Sequence, residues 1–459
     1  MGFRVKLIVS ALALGMAAAS VGGAQAQSIT QALTIAYDHA PDLQAALLEA
    51  KAAAENVALA NSGNRPTIGA SVGGTYAWSA GQASQANPNG NYVGASSYTA
   101  GLSYNQTIFD NHKTEAQVEA ARAGAEAAEH GIRNTEQNVL LSVVQAYMSV
   151  LSGRQLVALR QENTSFFQAQ LQSAQDRLDV GEGTRIDVAQ AQARLAQGDA
   201  SYRAALSSLE ISQATFQRYV GAQPQGLNAS HNYGRLIPGN LQAAIAEAEA
   251  GHPAILAAKA AIRAAQAGSD AADAAFGPNA SVSGQVGTGF SSAGAGQGIS
   301  GQFGFQITVP IYAGGAIGAG VRKANIELIK SEVTAMSSYD QIREAVISAW
   351  AGMQSADAQI SAANAAVSAG TTVLDGVIQE RDLGTRTTLD VLNSQAELTT
   401  AREALINAST NKVVATFSLL AAMGHLTARD LGLAVEVKSA VRYNQAVEDV
   451  WQELRTVAE

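Results

Sequence analysis

Two short stretches place an aspartate three residues after a threonine, in Thr184–Asp187 and Thr387–Asp390. This spacing resembles a capping box with Asp in place of the usual Glu, in which hydroxyl and carboxylate receive the free N–H groups of a helix start. In the second stretch, Arg386 directly precedes the threonine. The chemistry predicted here is electrostatic: each stretch is the turn of a long helical hairpin whose tip carries Arg and Asp. N-terminal capping explains the aspartates in part on any reading.

The residues predict no enzyme, no cofactor and no metal site. The stretch Gly69–Gly73 matches a nucleophile-elbow pattern, but it lies inside a period-two strand and we interpret it as chance. The six histidines are scattered, without the close pairing that a metal needs. Glycine-rich stretches near 294–298 and 314–320 follow no buried parallel strand, so they are not phosphate-binding loops. No catalytic residue is assigned.

The composition limits which kinds of partner and site the protein can have. The chain has 459 residues, a net charge of -9, 15% charged residues and no cysteine. The acidic balance argues against a nucleic-acid partner. Without cysteine there is no disulfide and no thiolate metal site. The many alanines and 43 glycines favour close-packed helices over a thick apolar core.

The N-terminus has the pattern of a secretory signal peptide over residues 1–26. Arg4 and Lys6 form the charged region, Leu7–Ala19 the apolar region and Ala24–Ala26 a small-residue cleavage site. A membrane anchor is the weaker alternative, because the apolar run is shorter than the ~20 residues that a span needs. The sequence therefore predicts an exported protein.

After the signal, helical and alternating patterns occur twice in the same order. The first half predicts helix over 28–64, strands over about 67–79 and 96–109, and a helical hairpin over 111–220. The second predicts helix over 240–276 with Pro253 inside it, strands over about 279–290 and 299–312, and a helical hairpin over 315–424. Residues 221–239 connect the halves, and an equatorial tail over 425–459 includes a helix from Gln445 to Val457.

Subtraction identifies a tandem duplication. Pro41 to Pro253 is 253 − 41 = 212 residues, and Gly181 to Gly384 is 384 − 181 = 203. The difference of nine lies in the hairpin loops, so the long helices have equal length. The repeats are 27–220 and 240–424.

The four predicted strands have the pattern of transmembrane β-strands. They alternate apolar with small polar residues over about the ~9–11 residues of a transmembrane β-strand. Four strands cannot form a closed barrel with an open lumen, because membrane barrels need about eight strands or more. Several chains must therefore contribute strands. A soluble hairpin pair packed on the helices is the alternative. The pattern does not itself fix the number of chains.

Three motifs together resemble the TolC-type outer-membrane channel family: Leu383–Leu392 at the second tip, and the strand exits Gln106–Asp110 and Val309–Gly315. The similarity covers about residues 28–430. It implies an α+β membrane protein, a homotrimer whose twelve-stranded barrel in outer-membrane lipid continues into a periplasmic α-helical barrel. It also implies a periplasmic adaptor protein and an inner-membrane transporter, ABC or proton-driven, as partners.

The resemblance also implies roles for the tips at the periplasmic entrance. Asp390 matches a ring of carboxylates in the pore, and Arg386 and Asp187 match positions that hold inner and outer hairpins together. Asn393 stands where the family often has a second acid, and Arg381 stands where it can have an aromatic lock residue. Arg381 could pair with Asp187 by charge. The tip positions that would meet the adaptor are Gly181, Thr184, Gly384 and Thr385.

Two functions follow as alternatives. The first is a passive exit duct of a tripartite efflux pump or a type I secretion system. The second is an exported coiled-coil structural or adhesive protein. The strand faces discriminate them, since a channel would expose its apolar faces to lipid. The sequence does not identify the cargo.

Overall fold

The computed structural model describes residues 27–80, 92–292, 298–448 and 450. The predicted signal peptide lies outside these residues, as do the centres of both hairpin loops and most of the predicted helix Gln445–Val457. Within the described ranges, no helix is both long and apolar enough to cross a membrane.

The first repeat contains four helices and two strands. Helices α1 (Ile29–His39) and α2 (Pro41–Asn61) precede strands β1 (Thr67–Ala80) and β2 (Tyr92–Phe109). The long helix α3 (Lys113–Asp179) and its return helix α4 (Arg185–Val220) follow. Pro41 starts α2, at a position where its missing N–H has no intrahelical partner to lose.

The second repeat has the same order. Its helices and strands are α5 (Leu241–Gly251), α6 (Pro253–Asp273), β3 (Asn279–Ser291), β4 (Gly298–Thr308), α7 (Ala316–Asp382) and α8 (Thr388–Ala422), followed in the tail by α9 (Val441–Val447). The helical region predicted over 240–276, with Pro253 inside it, is divided at that proline, as the first repeat is at Pro41. Pro253 cannot donate the hydrogen bond that a continuous helix requires, so it begins a new helix.

Two other predicted boundaries differ from the structure. Strand β4 ends at Thr308 rather than near 312, because Pro310 has no N–H to pair. The following Gly314 and Gly315 have φ of 62° and 84° and turn the chain into α7. In the tail, α9 begins at Val441, before the predicted Gln445.

The four strands form one antiparallel sheet in the order β1-β2-β3-β4. Thr67 pairs with Asn105 in the first hairpin, and Asn279 pairs with Thr308 in the second. The offsets relate these pairs, since 67 + 212 = 279 and 105 + 203 = 308. The duplication therefore includes strand register.

The helices extend from one end of the four strands. Near the sheet, α2, α3, α6 and α7 lie side by side in that order, and towards the tips the order is α4, α3, α8 and α7. At ~1.5 Å per residue, the 67 residues of α3 and of α7 each span about 100 Å.

The main apolar core lies at the middle of these helices. Tyr37, Tyr147, Phe216 and Phe417 are fully buried there. The tail is bound to the same region by buried polar groups. For example, the carboxylate of Glu136 is 0% exposed and accepts hydrogen bonds from Arg133 at 2.8 Å and from the backbone N–H of Ala428 at 2.5 Å.

Candidate functional site

One face of the sheet exposes large apolar side chains along its whole length. Val72 is 89% exposed, Ile299 84% and Phe303 78%. The strand register places further exposed residues on this face: Ile68, Tyr76, Trp78, Tyr98, Leu102, Val286, Phe290, Phe305 and Ile307. The four strands contain no Asp, Glu, Lys or Arg. A continuous apolar surface of this kind marks contact with lipid or with another chain.

The opposite face carries small and neutral polar side chains. One row across the strands consists of Ser71, Gly101, Gly287 and Ser300, and the next includes Gln285 opposite Gln302. Gly287 lets β2 and β3 approach closely, because a Cβ there would lie 3.0 Å from the carbonyl oxygen of Ala100, a tight contact. Hydroxyl, amide and backbone groups on this face can be hydrated, as the lumen of a membrane barrel is.

Both edges of the sheet are open as far as the structure describes the chain. Among the described strands, β1 pairs only with β2, and β4 pairs only with β3. Each outer edge therefore presents a row of backbone N–H and C=O groups that another strand can pair. In hydrocarbon such groups cannot be left without partners.

At the far end of the helices, both hairpins turn through the same glycine geometry. Gly181 and Gly384 have φ of 82° and 78°. The N–H of Glu182 donates to the carbonyl of Arg177 at 2.8 Å, and the N–H of Thr385 donates to the carbonyl of Glu380 at 2.9 Å. This is the Schellman arrangement, which favours glycine at the left-handed position.

The return helices start with the two predicted capping boxes. The N–H of Asp187 donates to the Thr184 hydroxyl at 3.1 Å, and the Asp187 carboxylate accepts from the Thr184 hydroxyl at 2.6 Å and its N–H at 3.1 Å. Thr387 and Asp390 repeat these contacts at 3.2, 2.7 and 2.9 Å. Both aspartates therefore cap helices.

The second tip also contains an ion pair across its turn. Arg386 donates through Nε to Glu380 Oε2 at 2.8 Å, and this hydrogen bond raises the pKa of the guanidinium. Hydrogen bonds from the N–H and hydroxyl of Thr387, together with the charge of Arg386, hold the pKa of the Asp390 carboxyl below its ordinary value. Asp390 thus carries a negative charge at neutral pH.

Arg381 is only 8% exposed and has different partners from the one expected. It donates to Gln170 of α3 at 2.6 Å and to Asp382 at 2.7 and 3.0 Å. Within the described residues of one chain, Arg381 forms its ion pair with Asp382 and not with Asp187, whose carboxylate caps α4; a pair between Arg381 and Asp187 of different copies stays a prediction. Arg381 nevertheless connects the two hairpins, through a glutamine amide.

Asn393 also connects the hairpins. Its side-chain oxygen accepts a hydrogen bond from Arg194 of α4 at 2.8 Å. The sequence suggested only that Asn393 stands at a pore position. It gave no reason to single out Arg194, which lies on the other hairpin and 199 residues away.

Above these contacts, α3 and α8 are joined by a buried polar cluster that the sequence analysis missed. Gln395 donates to Asn163 at 3.1 Å, and the Thr399 hydroxyl donates to the same oxygen at 3.0 Å. Two ion pairs flank the cluster, Arg160–Glu403 and Arg402–Glu162. The available signal was the pair of polar residues Gln395 and Thr399, four positions apart on one helix face after Leu392.

The described ranges contain no group of three or more His, Asp or Glu side chains that could hold a metal ion.

Comparisons with known proteins agree with this geometry. A family profile described as outer membrane efflux protein matches residues 32–222 and 244–425. The chain is 36% identical over 453 residues to the outer membrane efflux protein BepC of Brucella suis biovar 1 (strain 1330), covering 98% of this chain and 97% of BepC. It is 24% identical over 434 residues to the outer membrane protein TolC of Escherichia coli (strain K12), covering 89% and 84%. The solved Campylobacter jejuni CmeC outer membrane channel superposes with a TM-score of 0.76 at 17% identity, covering 92% and 89%.

Proposed function

This chain belongs to the outer membrane efflux protein family and is a TolC-type protein of the outer membrane, and from that premise we propose that three copies form a passive exit duct. The relatives are outer-membrane channels of efflux or secretion systems rather than enzymes. In the proposed assembly, the sheets form the membrane section and the helices continue it into the periplasm. A duct of this kind depends on an energised partner in the inner membrane.

The observation that carries the proposal is the sheet. It has an uncharged apolar face, a small polar face and two open edges. Pairing β4 of one copy with β1 of the next would satisfy both edges, and three copies would give 3 × 4 = 12 strands. Such a barrel would present its apolar side chains to lipid and its hydroxyl and amide groups to an aqueous lumen. The alternative of an exported coiled-coil stalk gives no role to this exposed apolar face.

We place the gate at the tips. Three Asp390 carboxylates would form a ring at the entrance, with Arg386 beside them restraining its opening. Asn393 would take part through its hydrogen bond from Arg194, rather than as a second charged ring. Arg381 would hold the closed arrangement through Gln170, in place of the expected contact with Asp187.

The same tips would meet the partners. Gly181 and Gly384 lie in the two turns at the end farthest from the sheet, and Thr184 and Thr385 lie near them. All four residues are exposed. A periplasmic adaptor could bind there and connect the duct to an ABC or proton-driven transporter. Because the most extensive match described above is to an efflux protein, small-molecule efflux is our first proposal for cargo, and type I protein secretion is the second.

Neighbouring residues of β1 offer a matched test of the membrane section. Val72 lies on the apolar face and Ser71 on the polar face. A lipid-facing arginine costs ~2–4 kcal/mol at the bilayer midplane, whereas a lumen-facing one changes selectivity. We expect Val72→Arg to reduce the amount of protein in the outer-membrane fraction. Ser71→Arg should assemble normally and shift ion selectivity towards anions in planar bilayers. Equal assembly of both variants, or no conductance from the purified protein even after mutation of the tips, would contradict the proposal.

A further inference from the structure

The two long helices differ in charge on the face that points away from the equatorial layer, which consists of α1, α5 and the tail from residue 425. Glu129 of α3 points at this layer, because it accepts a hydrogen bond from the backbone N–H of Ala440 at 2.8 Å. At ~100° per residue, the other carboxylates and guanidinium groups of α3 between residues 115 and 136 lie within about 80° of Glu129: Glu115, Glu119, Arg122, Glu126, Arg133 and Glu136.

The opposite face of α3 carries no charge over the same residues. Ala120, Gly124 and Ala127 lie about 160–220° from Glu129 around the helix axis. A Cβ at Gly124 would meet no side chain and no other element within 4 Å, so no described residue covers this face there. In this part of α3, the charges therefore stay on the side of the equatorial layer.

On α7, the three equivalent positions are all charged. The offset gives 120 + 203 = 323, 124 + 203 = 327 and 127 + 203 = 330, which are Lys323, Glu327 and Lys330. The same offset takes position 129 to Glu332, so the three residues point away from Glu332. All three are exposed, and the side chains of Lys330 and Glu327 are 70% and 54% exposed.

A contact with α5 supports this orientation of α7. Arg343 lies eleven residues after Glu332, which is about 20° away around the helix axis. It forms an ion pair with Glu249 of α5 at 3.1 Å. The equatorial layer therefore lies on the Glu332 side of α7, and the side with the two lysines faces away from it.

Neither lysine is needed to hold the helix in place. Lys330 Nζ lies 3.1 Å from Glu327 Oε2, and an exposed ion pair of this kind contributes little to stability. Lys323 forms no hydrogen bond or ion pair with any other residue that the structure describes. Two lysines and one glutamate give each copy a net charge of 2 − 1 = +1 on this face, and the charge is available to a ligand.

In the proposed duct, this face of α7 lines the bore. Three equatorial layers placed inside would fill the passage, so the opposite faces of the long helices surround it. Lys323 and Lys330 lie seven and fourteen residues after the start of α7 at Ala316, which places them ~10 and ~20 Å from the sheet end of the helix. The strands above contain no charged residue. Further along the same face, α7 is neutral at Thr334, Ser337, Gln341, Ala345 and Ser348.

We propose that Lys323 and Lys330 of three copies form a lysine ring that binds anionic groups of the cargo, carboxylate or phosphate, where the cargo passes from the helices to the membrane section. This inference rests on the proposed duct. With Glu327, the lysine ring carries a charge of 3 × (2 − 1) = +3, opposite in sign to the proposed ring of Asp390. A lysine ammonium is a compact charge with three rotatable donors, so it suits anions that pass in varied orientations.

Ion selectivity of the purified protein tests the lysine ring. Lys323→Gln/Lys330→Gln should lower the chloride-to-potassium permeability ratio in planar bilayers by roughly three- to fivefold in about 0.1 M KCl. The difference should nearly vanish in about 1 M KCl, where the screening length falls from ~10 Å to ~3 Å. Arg429→Gln/Arg442→Gln is the matched control, because it removes two exposed cations per copy from the tail, on the equatorial side. This control should leave the ratio unchanged.

Block of the ion current identifies the kind of anion. Tripolyphosphate and an octaglutamate peptide, added on the side of the sheet, represent a small phosphate-bearing cargo and an acidic polypeptide. We expect at least one of them to block the unmodified protein, and Lys323→Gln/Lys330→Gln to raise its half-blocking concentration about tenfold. Block by the peptide alone assigns the lysine ring to acidic polypeptides, and block by tripolyphosphate alone assigns it to small anions.

Conductance separates failure of the lysine ring from failure of the duct. If the unmodified protein conducts but neither anion blocks it, or if the lysine variant keeps the same permeability ratio, the ring is refuted and the duct remains. An equal shift in the tail control also refutes the ring, since the charge would then act from outside the bore. No conductance, even after mutation of the tips, contradicts the duct and the ring together.

Discussion

Arg194 and Asn393 provide the sharpest test of the proposal that contacts between the hairpins keep the tip closed. Their hydrogen bond of 2.8 Å joins the two hairpins and involves a charged donor. Asn393→Ala removes the acceptor and leaves the capping box of the same helix intact. We expect the variant to fold and assemble but to open more often. Arg194→Ala should have the same effect, because it removes the other half of the contact.

The size of the effect follows from the environment. A hydrogen bond to a charged group contributes ~1.5–3 kcal/mol. Both side chains here are partly exposed, which lowers the contribution to about 1 kcal/mol. That is roughly a fivefold change in the open-to-closed ratio per chain. If three chains open together, the open state gains on the order of 100-fold.

Single-channel recording in planar bilayers measures this ratio directly. The two single variants and the double variant form a cycle, in which the double variant should open no more than either single variant. Gln197→Ala is a suitable control, because Gln197 also accepts from Arg194, at 3.3 Å, but lies on the same helix. Additive effects in the cycle, or an unchanged open probability in Asn393→Ala, would show that the contact does not hold the tip closed.

Three further predictions concern helix ends and the equatorial region. Thr387→Ala should destabilise the start of α8 by ~1 kcal/mol and speed amide exchange around Asp390, because the cap is lost. Glu136→Ala should lower the free energy of unfolding by ~1–3 kcal/mol, since Arg133 and the N–H of Ala428 each lose a buried acceptor while Arg133 keeps Glu129 and the Lys438 carbonyl; urea titration measures it. Hydrogen bonding with Asp430 raises the pKa of His425, so its stabilisation is full below pH ~6.5 and is lost as the pH rises through the raised value. His425→Asn should flatten the dependence of the unfolding free energy on pH above about 6.5.

Each of these has a control. Thr387→Ser keeps the hydroxyl and should preserve slow exchange, so equal exchange in Ala and Ser variants would contradict the cap. Glu136→Gln keeps hydrogen-bonding groups and should cost less than Glu136→Ala; the reverse order would contradict the buried ion pair. The pKa of Asp430 is lowered, with hydrogen bonds from His425 and Thr427 outweighing burial. Its contribution is constant above its ordinary pKa and therefore does not mask the histidine.

The sequence predicted the parts of the fold that depend on hydrophobic periodicity and on the spacing of glycine and proline. The offsets of 203 and 212 residues imply paired hairpins of equal length, and the structure carries the same offsets into the strand register. The comparisons confirmed the TolC-type resemblance that the tip and strand-exit motifs suggested. The same reasoning was less exact at strand ends, where β4 stops at Thr308 before Pro310 rather than near residue 312.

Contacts between distant segments were beyond the sequence. Nothing in the spacing of Arg194 relates it to Asn393, because the two meet only after both hairpins have packed side by side. Arg381 was expected to pair by charge, yet a neutral amide of Gln170 is its partner across the hairpins. Such choices depend on the rotation of each helix about its axis, which polar residues in a long helix fix only weakly.

Because α3 and α7 have equal length, they place the two hairpin turns at the same distance from the sheet. Each has 67 residues, so in the proposed duct both turns would lie at the same distance from the membrane section. Inserting seven residues into one helix alone would lower its turn by ~10 Å and separate Arg381 from Gln170. A single inserted residue would turn the lower face by about 100° and misalign every contact below it. Changes in the reach of this protein therefore require insertions of about a whole heptad, made in both long helices and in both return helices together.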